Sequence, residues 1–249
     1  MALFLVGIIF FGFLFSAATG NANYLWGAII GSLVMNFVSY FFSKKIALST
    51  SGAVLADENK YQELHQIVEN LSQKAHIPKP DVYVINDPGP NAFATGRNQD
   101  NAAVAVTTGL LAMMNKNELE GVVAHELSHI KNKDILIMTV VVVLAGALSM
   151  LAHLTMQRSL FGSDNRDSGM AGVVIGLLAA IVLPLAATIV QLSISRKREF
   201  MADAGGAIVT GYPEGLASAL LKISGYKQPL HHATPATAHL YISCPFGGV

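Results

Sequence analysis

The sequence predicts an α+β membrane protein, mainly helical, with four transmembrane helices and a water-facing domain that contains a small mixed sheet. Three observations predict it. Of 249 residues, 52% are hydrophobic and 13% charged, where a soluble domain averages about 25% charged. Four long apolar runs stand out, at 2–19, 24–42, 135–156 and 170–194. Between the second and third lies a polar stretch whose apolar spacing changes from helical to strand-like.

The runs come first in chain order. A bilayer span needs about 20 mainly apolar residues, so the run at 2–19 is at the short end. No basic cluster precedes it, and the uncharged turn Gly20-Asn21-Ala22-Asn23 leads directly into the next run. It therefore reads as a retained helix and not as a cleaved signal peptide. The runs at 135–156 and 170–194 are longer than an ordinary buried core helix. Pro184 kinks the last one, which a membrane helix tolerates. Gly27 with Gly31, and Gly172 with Gly176, are spaced for close helix packing. Lys44 and Lys45 follow the second run, Lys131 and Lys133 precede the third, and Arg196, Lys197 and Arg198 follow the fourth. The opposite side holds Arg158 and Arg166 beside Asp164 and Asp167. The positive-inside rule then puts both termini and the polar stretch in the cytoplasm. The expected organisation is two spans in 1–43, a cytoplasmic domain in 44–134, two spans in 135–194 and a second cytoplasmic part in 195–249.

Within the cytoplasmic stretch, Asp57 to His76 reads as an amphipathic helix with Tyr61, Leu64, Val68, Leu71 and Ala75 on one side. Pro78 and Pro80 end it. Residues 81–85, 91–96 and 103–107 suit strands, and Asp87-Pro88-Gly89-Pro90 is a turn. His65 and His76 read as surface histidines.

The chemistry concentrates at His125-Glu126-Leu127-Ser128-His129. In a helix, residues four apart share a face, so both imidazoles can reach one metal ion while Glu126 handles a water's proton. Glu118, Leu119, Val122, Val123, Leu127 and Ile130 give the helical spacing, and Asn115 with Glu118 forms a capping pattern. Gly121, the weak helix former here, permits close approach by another backbone. Catalytic zinc takes three protein ligands. The lone Cys244 excludes a thiolate cage, and a single cysteine suits a reducing compartment. Glu199 and Asp203, four apart in Arg196-Lys197-Arg198-Glu199-Phe200-Met201-Ala202-Asp203-Ala204, supply the candidates: one carboxylate for the metal, the other for a ligand imidazole.

These residues carry a resemblance. The chain is similar to the M48 zinc metallopeptidases, and most to the HtpX group of membrane proteases, through three blocks in family order: Asn91-Ala92-Phe93-Ala94-Thr95-Gly96; His125 to His129 followed by Asp134; and Arg198 to Ala204. The resemblance implies a cytoplasmic zincin-like (gluzincin) domain. It implies one Zn2+ per chain held by His125, His129 and Glu199, with Glu126 as general base and Asp203 supporting a ligand. It implies Asn91, Ala92, Phe93 and Ala94 as an edge strand that binds substrate in extended form. It implies an integral protein of a bacterial or archaeal inner membrane that cleaves misfolded or damaged membrane proteins in the stress response. Family members continue into a Thr-His-Pro-type segment, whereas this chain ends at Cys244-Pro245-Phe246-Gly247-Gly248-Val249, so a truncated C-terminal part is expected. His231, His232, His239 and Tyr241 read as loop residues of that tail.

A formal net charge of zero argues against a nucleic-acid partner. A metal carrier would place ionisable groups within its spans, and these runs hold almost none. An inactive zinc-binding scaffold is the other alternative, but structural zinc needs no base and Glu126 is present.

Overall fold

A computed structural model of the chain describes residues 9–10, 12–13, 16–17, 20–140, 196–231, 237–243 and 245–246. The chain divides into two compact units, Met1–Phe42 with Leu144–Ile189, and Ser43–Val143 with Val190–Val249. Most of the runs at 2–19 and 135–156 and all of that at 170–194 lie outside the described residues.

Helix α1 (Asn23–Thr50) carries the second apolar run in the first unit and continues into the second. Trp26, Ile30, Leu33, Val34 and Phe37 are all exposed, as a span's side chains are when lipid is their solvent. Among the described residues no single helix is long and apolar enough to cross a membrane. One bent pair, Leu25–Val38 with Tyr40–Thr50 at 63°, has the length and composition to do so.

The second unit is built on a four-stranded sheet: β1 (Ala53–Leu55), β2 (Asp81–Ile85), β3 (Ala92–Gly96) and β4 (Ala102–Thr107), in the order β1-β2-β4-β3. β2 and β4 are parallel, with Val82 opposite Val104; β1 and β3 run antiparallel to their neighbours, with Ala94 opposite Val104. Helix α2 (Gln62–Ala75) links β1 to β2, and the parallel strands β2 and β4 are joined through β3, which lies at the sheet's far edge. The helix ends where His76 turns left-handed, φ 56, ahead of Pro78 and Pro80. The unit also contains helices α3 (Thr108–Met113), α4 (Lys116–Lys131), α5 (Arg196–Thr210) and α6 (Pro213–Ser224).

Both faces of the sheet are covered, which explains strands that are apolar throughout. Val82, Val104 and Val106 join Leu64, Val68, Val122 and Leu127 of α2 and α4 in the main core. On the other face Phe93, Ala103 and Ala105 pack with Ala47, Met138, Leu240 and Tyr241. His65 is not a plain surface residue: its Nε2 lies 3.1 Å from the Ala56 carbonyl and ties β1 to α2. At about 25 cal/mol per Å2, these side chains are the main favourable term holding α4 to the sheet.

Helix α4 is fixed at its start by the predicted capping box. Asn115 Oδ1 accepts from the Glu118 N–H at 3.0 Å, and Glu118 Oε2 accepts from the Asn115 N–H at 2.9 Å. Glu118 also accepts from Ser218 Oγ and Lys222 Nζ on α6, each at 2.6 Å. The two helices meet at Gly121, where a Cβ would stand 2.5 Å from the backbone nitrogen of Leu216.

Candidate metal centre

Helix α4 is buried along its whole central stretch, so the sequence HELSH is held between the sheet and α5. His125 and His129 sit one turn apart with rings almost perpendicular, at 85°, and their Nε2 atoms 3.2 Å apart. Each ring turns its other nitrogen to a carboxylate. His125 Nδ1 is 3.0 Å from Asp203 Oδ1, and His129 Nδ1 is 3.3 Å from Asp134 Oδ2. A carboxylate at Nδ1 holds the proton there and leaves the Nε2 lone pair free. With both rings neutral, two such lone pairs converge on one point, where a proton or a metal ion offsets their repulsion.

Helix α5 brings the third donor. Glu199 Oε2 lies 3.6 Å from His125 Nε2 and 3.8 Å from His129 Nε2. Glu199 and Asp203 face α4 together because four residues complete about one turn. Gly206, one further turn along, sits where a Cβ would come within 3.1 Å of the His125 backbone nitrogen, so α5 lies close against the motif. The donor atoms of His125, His129 and Glu199 all fall within 4.8 Å of one another. Two ligands about 2.05 Å from a tetrahedral zinc are about 3.3 Å apart. The observed separations of 3.2, 3.6 and 3.8 Å fit such an ion with little adjustment. Two imidazoles and one carboxylate are also a donor set of catalytic zinc.

The electrostatics point the same way. Burial opposes a charged His125 ring, but the hydrogen bonds to Asp203 and Glu199 and the charge of Glu126 outweigh it and push its pKa up to about 10. The site thus favours a cation even without metal. The hydrogen bond from His125 holds Glu199 below the usual carboxylate range, against the effect of burial. Burial pushes Glu126 up, opposed by His125 and His129, and a backbone hydrogen bond from Ala94 favours its charged form.

That bond brings β3 into the site. Asn91 and Ala92–Gly96 form the sheet's edge in order, but the strand is buried and not an exposed edge. The tail explains the difference. Ile242 N–H donates to the Ala92 carbonyl at 3.1 Å, Asn91 Nδ2 donates to the Ser243 carbonyl at 3.2 Å, and Tyr241 meets Phe93 edge-on with centroids 5.3 Å apart. At the far end, Gly96 N–H donates to Thr139 Oγ1 at 3.2 Å. Tyr241 is therefore a core residue, whereas His231 is exposed.

In the sequence Asp134 stands out only as part of a motif; its place on His129 is set by the fold. A carboxylate five residues after a histidine is not on the same helix face, so helical periodicity gives no sign of it. The available signal was the turn after α4, Asn132-Lys133.

The model of peptidase family M48 matches residues 58–244. The chain belongs to this family. Members are metalloproteases, and curated relatives named protease HtpX homolog cover most of the chain. The one from Pyrococcus abyssi is 53% identical over 223 residues, 88% of this chain and 76% of its own length. Those from Caldanaerobacter subterraneus subsp. tengcongensis and Thermococcus kodakarensis are each 47% identical, over 87% and 96% of this chain and 75% and 82% of theirs. The crystal structure of S. mikatae Ste24p superposes with a TM-score of 0.53 at 18% identity, over 88% of this chain and 55% of that one. That likeness supports the M48 fold and no more.

Proposed function

We propose that this M48 protease is a membrane-embedded zinc endopeptidase whose ligands are His125, His129 and Glu199 and whose general base is Glu126. The observation that carries the reading is the convergence of three donor atoms beside a buried carboxylate. Bound zinc would polarise the scissile carbonyl and make a water acidic enough to react at neutral pH. Glu126 takes the proton of that water and later delivers it to the leaving amine. The Ala94 N–H and burial keep the carboxylate fixed for both transfers. Asp203 holds His125 in the tautomer that presents Nε2.

Peptide is expected to bind in extended form along Asn91, Ala92, Phe93 and Ala94, with backbone hydrogen bonds giving affinity. To use the Ala92 carbonyl it must displace the Ile242 N–H. Substrates are unfolded or damaged membrane proteins, reached from the cytoplasmic side of a bilayer that the chain crosses several times. The arrangement of Lys44, Lys45, Lys131, Lys133 and Arg196 to Arg198 supports that orientation.

The test uses the full chain in lipid nanodiscs, loaded with one equivalent of zinc and given an unfolded membrane protein. Cleavage should vanish with a chelator and return with zinc. It should be absent in His129→Ala, which should also lose the metal. Cleavage that survives chelation with no metal left in the sample would overturn the assignment.

A further inference from the structure

The proposed reaction uses neither Asp134 nor Arg198 directly, yet Asp134 lies on the His129 ring and Arg198 lies on Asp134. Helix α4 stops two residues after His129, at Lys131. Five helical residues would carry Asp134 about 140° around the axis from His129. Instead the chain leaves the helix at Asn132, Lys133 turns left-handed with φ 63, and the carboxylate returns to His129 Nδ1 at 3.3 Å. Lysine rarely adopts that backbone conformation. The turn is closed by the Asn132 N–H on the Ser128 carbonyl at 2.9 Å and the Lys133 N–H on the Ile130 carbonyl at 3.1 Å.

The second oxygen of the same carboxylate faces helix α5. Asp134 Oδ1 is 3.9 Å from Nε of Arg198, with both side chains largely buried, at 11% and 20% exposure. Arg198 immediately precedes Glu199. The two ligand-bearing helices are thus joined through one carboxylate, from His129 on α4 to the residue next to Glu199 on α5. The corresponding carboxylate on His125, Asp203, belongs to α5 itself and is 45% exposed.

We propose that Asp134 and Arg198 are positioning residues for the metal: Asp134 orients His129 through Nδ1, and Arg198 ties that carboxylate to the helix that delivers Glu199. The inference rests on His125, His129 and Glu199 being a zinc site. It predicts that the pair acts on metal affinity before it acts on the fold. Arg198 reaches the metal site through Asp134, so the two should not be independent.

The experiment is zinc competition against a chromophoric chelator with the full chain in detergent. Parent, Asp134→Asn, Arg198→Gln, the double variant and His129→Ala are compared. Unfolding of each metal-free protein is followed in parallel, together with the visible spectrum of its cobalt form. Asp134→Asn should bind zinc about 10- to 100-fold more weakly, as losses of such ligand partners do. Its cobalt spectrum should shift while the metal-free unfolding midpoint stays near the parent's. Arg198→Gln should weaken binding less, and should add little once Asp134→Asn is present. Zinc affinity of Asp134→Asn within twofold of the parent, with His129→Ala losing the metal, would overturn the proposal. Fully multiplicative losses in the double variant would overturn Arg198's part in it. A drop in the metal-free midpoint with metal affinity intact would make Asp134 a structural residue. Retention of zinc by His129→Ala would instead remove the site reading beneath it.

Discussion

Replacing Gly121 with alanine opposes two effects of known size on one atom. Alanine is the better helix former by about 1 kcal/mol, and Gly121 is inside α4, so propensity alone predicts stabilisation. The added Cβ, however, would stand 2.5 Å from Leu216 N and 2.9 Å from the carbonyl carbon of Gly215. These are backbone atoms and cannot rotate away. Ordinary contact begins near 3.4 Å, so α4 and α6 would have to part by almost an ångström. Overpacking of a tight contact costs about 1–3 kcal/mol, and more when backbone must move. The separation would also stretch the 2.6 Å bonds from Ser218 and Lys222 to Glu118. The net expectation is a loss of about 1–2 kcal/mol. Urea unfolding of the metal-free chain in detergent reads it, with Gly27→Ala as control, since among the described residues nothing lies within 4 Å of a Cβ there. Gly121→Ala at least as stable as the parent would refute the packing argument.

Three further expectations concern charge and the tail. Burial opposes ionisation of Glu118, but hydrogen bonds from Lys222, Ser218 and Asn115 hold its pKa below the ordinary 4.5. Its stabilising contribution is therefore present above that value and lost as pH falls below it, so parent stability should fall more steeply than that of Glu118→Gln between pH 5 and pH 3 in urea titrations. For His125 the sign reverses: its pKa is raised from 6.5 to about 10 in the metal-free chain, so its contribution is complete below 6.5 and disappears as pH rises through about 10. Zinc must displace that proton, so calorimetry should show proton release on loading, and zinc affinity should rise between pH 6 and pH 9. Ile242→Pro removes the N–H that occupies the Ala92 carbonyl; a lower KM for peptide is expected, and an unchanged KM would separate the tail from substrate binding.

What could be read from the chain follows the range of the interactions. The start of α4 was legible because Asn115 and Glu118 are three residues apart and complete each other. Strands β2, β3 and β4 were legible because both sheet faces are buried and their sequences are apolar without interruption. Gly121 was read as a point of close approach, and Leu216 supplies the backbone that approaches it. Strand β1 escaped notice: three residues, two of them exposed, carry no period. Helix α6 has a proline at its first turn, but its place depends on contact with α4. The covering of β3 was out of reach because Ile242 and Ala92 are far apart in sequence. The role of Asp134 is not legible in the sequence, because only a left-handed turn at Lys133 brings it to His129. His125 with His129, and Glu199 with Asp203, were legible as pairs because each repeats at four residues on one helix; that the two pairs belong to one site was implied only by the family resemblance.

The most direct test is single-turnover peptide cleavage by zinc-loaded Glu126→Gln beside the parent, with zinc counted in both. The account predicts one zinc per chain in each, cleavage by the parent, and a rate at least 100-fold lower in the variant, since general base catalysis is worth about 10^2 to 10^4. A zinc-replete Glu126→Gln that cleaves at the parent's rate would contradict it.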